Sequence, residues 1–191
     1  MIMQAIRRQQ IVPGIHGPLT AVQAFQIAHP AAVQYDPLAW LVRVVSDEDI
    51  SEKGESHQWS FRFILPQQRA ELRVRVASDR AVDTGDQPPV LCIEQVRPFP
   101  EPDSQMAVWL AEGTISQAFV DEQWLVYQAD NPALPIPFRD SPEAVHSLCE
   151  QGVDFISGDP HMVLQSKVLP DGQAVWAIYA YHVEYHTPFA R

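Results

Sequence analysis

No apolar run in this chain approaches the roughly 20 residues that a membrane-spanning helix requires. The longest, residues 38–45 and 174–180, are far too short, so no membrane role is expected. Cysteine is scarce: Cys92 and Cys149 are the only two. They form no CxxC or zinc-finger spacing and read as small buried hydrophobes in a reducing compartment. The chain also lacks a GxSxG elbow and a glycine-rich phosphate loop, and neither cysteine has a histidine in a recognised nucleophile signature. His146 does stand three residues before Cys149, a helical spacing that reads as packing neighbours. Enzymatic activity is therefore not expected, and no cofactor is implied. The opening MIMQAIRRQQ places Arg7 and Arg8 after a short apolar start and contains no h-region. A secretory signal is not expected, and the reading is cytoplasmic.

Cations are missing from one long stretch. Residues 101–160 hold only Arg139 against eleven acids, a net charge of −10, whereas residues 1–100 hold ten Lys+Arg against eleven Asp+Glu, net −1. The total of −11 thus resides almost wholly in that stretch. Nucleic-acid binding needs cations along a groove to displace counterions, and this balance argues against it.

What is present is a pattern of short periodic segments. With 46% hydrophobic residues, 191 positions suffice for one substantial core or two small ones. Seventeen prolines, many in QPPVLCIEQVRPFPEP and NPALPIPF, mark connections, and an organisational break is placed at residues 98–102. Ala21, Ala24, Phe25 and Ala28 recur at helical spacing behind a Thr20/Gln23 capping box, with Pro30 expected to end or bend the helix. Leu38–Val45 reads as a strand, with Leu38, Trp40, Val42 and Val44 on one side and Arg43 on the other. The period-two segments WSFRFIL and RAELRVRVAS, joined through PQQ, predict an antiparallel hairpin, and VLCIEQV a further strand.

Downstream, Asp103 is expected to cap one helix through SQMAVWLAEGTISQAFVDE, with Gly113 a weak point, followed by a strand QWLVYQA. A short helix follows from Ser141 and Pro142 to Gly152. Asp159 and His161 read as a turn before the last hairpin, HMVLQSKVL and QAVWAIYAYHVEYH around PDG. The predicted class is α+β, helices packed on antiparallel sheet. It divides into residues 1–100, a helix plus meander, and 101–191, an acidic half, whether as two related halves or one compact domain.

The short helix TAVQAFQIA followed by a meander with WSFRF and LRVRV strands resembles PepSY-like and cystatin-like α+β modules, with SPEAVHSLCEQG similar to a second, degenerate copy. The resemblance implies a noncatalytic module that binds or inhibits something, and it transfers no catalytic residue. The corresponding expectation is a binding, inhibitory or assembly module with a protein partner or a second copy of itself. The alternative is a small-molecule-binding protein or small enzyme with a cleft between the halves.

Two sets of residues are candidates for a site. Arg62, Arg73 and Arg75 should project from the side of the first sheet opposite Phe61, Phe63, Leu72 and Val74, with Arg43 beside them. They suit an anion or a carboxylate-rich surface, and the acidic stretch of residues 101–160, in cis or from a second subunit, is the nearest candidate. The second set is HVEYH. On one strand His182 and His186 would stand roughly 13 Å apart at about 3.3 Å per residue, too far to share an ion. Only an adjacent pair such as His182 with Glu184 could contribute two metal ligands.

Overall fold

Alternating side chains decide the middle of the sheet, because a period of two puts one set against the core and leaves the other free. In the computed structural model, which describes residues 7–47, 50–78, 89–155, 162–180 and 182–190, β3 (Gln58–Leu65) and β4 (Ala70–Ser78) pair antiparallel over their full length. Phe61, Phe63, Leu72, Val74 and Val76 are buried on one side. The helix α1 (Ala21–Tyr35) covers that side, with the Phe25 ring 5.9 Å from Phe61 and 6.4 Å from Phe63.

The Thr20/Gln23 capping box starts α1 as expected. Pro30 does not end it. The helix continues to Tyr35 because Pro30 and Gln26 are both exposed, so water can take the Gln26 carbonyl that the missing amide leaves without a partner.

Eight antiparallel strands among the described residues form one sheet in the order β1-β5-β4-β3-β2-β6-β7-β8. On one flank, β5 (Pro89–Pro98) pairs with β1 (Arg7–His16), a strand whose polar start RRQQ gives little sequence signal. On the other, β2 (Trp40–Ser46) meets β6 (Gln165–Val168), so the sheet crosses the expected break without interruption. That seam is narrow and is held by buried serines. Val44 N–H donates to Ser166 Oγ at 2.8 Å, and Leu164 N–H to Ser46 Oγ at 2.9 Å.

A register shift between Leu41 and Arg43 corrects the alternation expected for residues 38–45. The extra residue lets Leu41 and Val44, three apart, both reach the core.

Two further expectations change. The helix expected from Asp103 is two helices, α2 (Gln105–Ala111) and α3 (Gln117–Ala129), capped by Ser104 and Ser116. Gly113, at φ +72°, makes the break, with the Thr114 amide turning back to the Trp109 carbonyl at 2.8 Å. QWLVYQA lies inside α3 and is not a strand: Val120, Trp124 and Tyr127, at spacings of four and three, face inward.

The last expected strand also folds back. β7 (Ala174–Ala180) ends in a turn containing His182, at φ 65°, and β8 (Val183–Pro188) returns beside it. Between α3 and β6, α4 (Ser141–Glu150) begins at Asp140 and packs against β8. Beneath α1 and α4 the core continues through Trp59, Trp176, Phe138 and Phe189, with the Trp176 and Phe189 rings 4.7 Å apart. The architecture is α+β, helices on an antiparallel sheet, and no helix among the described residues is long and apolar enough to cross a membrane.

Candidate functional site

Since α1 takes one side of β3, β4 and β5, the alternate residues of those strands point to the other side. The pairing aligns them across strands. Arg7 on β1 is opposite Gln95 on β5, Gln95 is opposite Arg73 on β4, Arg73 is opposite Arg62 on β3, and Arg62 is opposite Arg43 on β2. Four arginines thus occupy one transverse row of five strands. Arg75 stands in the adjacent row, between Ile93 and Ser60. Together these five line a concave surface of about 520 Å³, with Asp47, Ser60, Ile93 and Gln95.

The structure therefore brings Arg62, Arg73 and Arg75 together with Arg43 beside them, as the alternation implied, and adds Arg7. Sequence reading could not place Arg7, because β1 has no apolar alternation. It could not fix the register of Arg43 either, because the β2 bulge is invisible in the pattern.

Directly opposed like charges destabilise a strand pair, and a single carboxylate offsets part of the repulsion here. Glu71, 6% exposed, lies with its Oε1 2.5 Å from Arg73 Nε and its Oε2 3.5 Å from Arg62 Nε. The Tyr127 hydroxyl of α3 donates to the same carboxylate. Burial first, and then this bond to Glu71 and its charge, push the Tyr127 phenol up to about 12.

The acidic stretch meets the first hundred residues at neighbouring points. Arg69 Nη1 lies 2.6 Å from Asp121 Oδ1, and Asn131 Oδ1 accepts from Arg62 Nη2. A Gln117 hydrogen bond and then Arg69 hold the Asp121 carboxyl below its usual range. These contacts fix α3 over the Glu71 end of the open face. Arg43 reaches only the neutral Gln165 side chain, at 2.8 Å, and no partner of Arg75 occurs among the described residues. Among the described residues, the concave surface and its rim set the carboxylates of Glu71 and Asp47 against five guanidiniums, a local surplus of three positive charges in a chain of net charge −11.

The second candidate set is differently arranged. His182 lies in the β7–β8 turn and Glu184 and His186 on β8, so the three do not share a strand. Glu184 accepts from Lys167 Nζ at 2.6 and 2.8 Å, the first cause of its lowered pKa, and its Oε2 is 3.3 Å from His186 Nε2. Its lone pairs are directed at a cation the chain already supplies. Among the described residues no group of three or more His, Cys, Asp or Glu side chains is placed to hold a metal ion. Asp159 and His161 lie outside the described residues.

Cysteine reading is corrected at one position: Cys92 is buried but Cys149 is exposed, and both are free thiols. His146 turns to Glu150, 3.5 Å away. A serine–histidine contact that the sequence did not reveal joins Ser78 Oγ to His57 Nδ1 at 2.8 Å. Ser78 is buried, and its amide donates to the His57 carbonyl, so the pair fastens the paired ends of β3 and β4. No protein-family model, no curated protein and no solved structure matches this chain.

Proposed function

We propose that this protein is a noncatalytic binding module whose open sheet face, built on Arg43, Arg62, Arg73 and Arg75 with Arg7, receives a carboxylate-rich protein surface. The observation that carries this reading is the in-register arginine row: aligned cations disfavour the free sheet, and an occupant rich in carboxylates converts that repulsion into ion pairing. Guanidinium groups suit the role because each presents a planar fork to a carboxylate, whereas an ammonium is a point charge. The row crosses five strands, about 19 Å at about 4.8 Å per strand, a span that suits an extended surface bearing several carboxylates. The PepSY-like and cystatin-like resemblance points the same way, to binding without chemistry.

Titration with poly-L-glutamate tests this. Binding should weaken by roughly tenfold or more between about 20 and 200 mM NaCl, as expected for ion pairing at an exposed face. It should be abolished by Arg43→Glu with Arg75→Glu, a pair chosen because neither residue bonds Glu71. A monomeric chain that does not bind at low salt, or binding unaltered in the double variant, would overturn the reading.

A further inference from the structure

The helices that cover one end of the open face carry the charge the other end lacks. Residues 98–138 contain no Lys or Arg, and Glu101, Asp103, Glu112, Asp121, Glu122 and Asp130 are all exposed. The same unit leaves apolar surface uncovered. No residue of α2 is buried, and Val108 and Trp109 remain 42% and 44% exposed. On α3, Phe119 and Val126, seven residues apart and so on one stripe, are 42% and 47% exposed, with Glu122 between them. A short helix with no fully buried residue, only Met106, Ala107 and Leu110 half-buried, gains little from folding alone. Trp and Phe rings bounded by acids are the complement of a guanidinium-lined surface, since arginine both pairs with carboxylates and stacks on aromatic faces.

The two surfaces lie side by side on one side of one sheet. Glu71, which α3 contacts through Tyr127, shares its strand face with Arg73 and Arg75, two and four residues on. Two complementary patches placed side by side can be satisfied together by a two-fold axis: each copy sets its α2–α3 unit on the other's arginines, and the contact closes at two chains. A head-to-tail use of the same patches would leave one of each open at the ends of a chain of molecules.

We infer that the occupant of the arginine face is a second copy of this chain, docked through its α2–α3 unit in a closed, reciprocal dimer. This rests on the arginine face being a docking surface and names what fills it.

The test is the mass in solution of the full chain at about 20 mM and about 500 mM NaCl, together with two charge reversals. The wild type should have twice the chain mass at low salt and the chain mass at high salt. Arg43→Glu with Arg75→Glu should give monomer at low salt, and so should Glu112→Arg with Glu122→Arg. Mixing the two reversed proteins places opposite charges across both contacts again and should restore a dimer, a result that misfolded variants could not produce.

A monomeric wild type at low salt that still binds poly-L-glutamate would overturn the dimer and leave the arginine face standing. A monomer that does not bind poly-L-glutamate would remove both. A dimer unaffected by salt and by either reversal would equally overturn the inference.

Discussion

Glu71 is the residue on which the open face depends. Its carboxylate is buried, takes Arg73 and Arg62 on its two oxygens and accepts from Tyr127. Removing one donor from a buried ionised group costs more than an average hydrogen bond. Tyr127→Phe should therefore lower unfolding free energy by roughly 1–3 kcal/mol in urea titration. A change under about 0.5 kcal/mol, the scale of an ordinary surface substitution, would show that the bond contributes nothing.

The phenol also sets a pH dependence. It ionises near 10 when unfolded and near 12 when folded, so the unfolded chain releases its proton first, and stability should fall as pH rises from about 10 to 12. Tyr127→Phe should flatten that part of the curve, and equal slopes in the two proteins would contradict the assignment. Charge and alternation made Arg62, Arg73 and Arg75 legible in the sequence. Glu71 reads there as one more outward residue of RAELRVRV, since nothing local says that a helix carrying Tyr127, 56 residues on, will cover it.

At the scale of elements, the strongest periodicities gave the right structure, as did VLCIEQV and AVWAIYA, and the run QWLVYQA did not. WSFRFIL and RAELRVRVAS alternate over seven or more residues and form β3 and β4. QWLVYQA is seven residues long with apolar groups at both two- and three-residue spacings, a length at which the pattern cannot separate helix from strand. The choice is made by Ser116, whose side chain caps α3 at 3.2 Å, and by Val120 and Trp124 packing inward.

The junction of α1 and α4 is a further case. Asp140 counts as one of the eleven acids of residues 101–160, yet it is no surface charge awaiting a partner: its carboxylate accepts from Thr20 Oγ1, Val22 N–H and Ser141 N–H and so serves two helix N-termini. Asp140→Ala should cost about 2–3 kcal/mol in urea titration, a cap plus charge-assisted bonds across two elements. A loss below about 1 kcal/mol would show that only one helix uses it. Gly54, the glycine of the charged loop, packs against the same junction, where a Cβ would meet Pro142 N at 2.4 Å.

Across the whole molecule, the class α+β was readable because alternation and helical period each occur in long, well-separated segments. The joining of residues 1–100 to the rest was not, because β2 and β6 meet through a single residue pair and two serines, which no hydrophobic pattern announces. The consequence is one sheet with a helix-covered side and a second side divided between arginines and an acidic, apolar α2–α3 unit. That division organises the proposed function, and it is a statement about which guanidiniums are free.

Nitrogen-detected or Nε-selective NMR of the arginine side chains during addition of poly-L-glutamate tests it most directly. The Nε–Hε signals of Arg43 and Arg75 should shift progressively, and the shifts should reverse with added salt, while Arg69, already paired with Asp121, stays in place. Shifts spread evenly over all arginines, or absent from Arg43 and Arg75, would contradict the account.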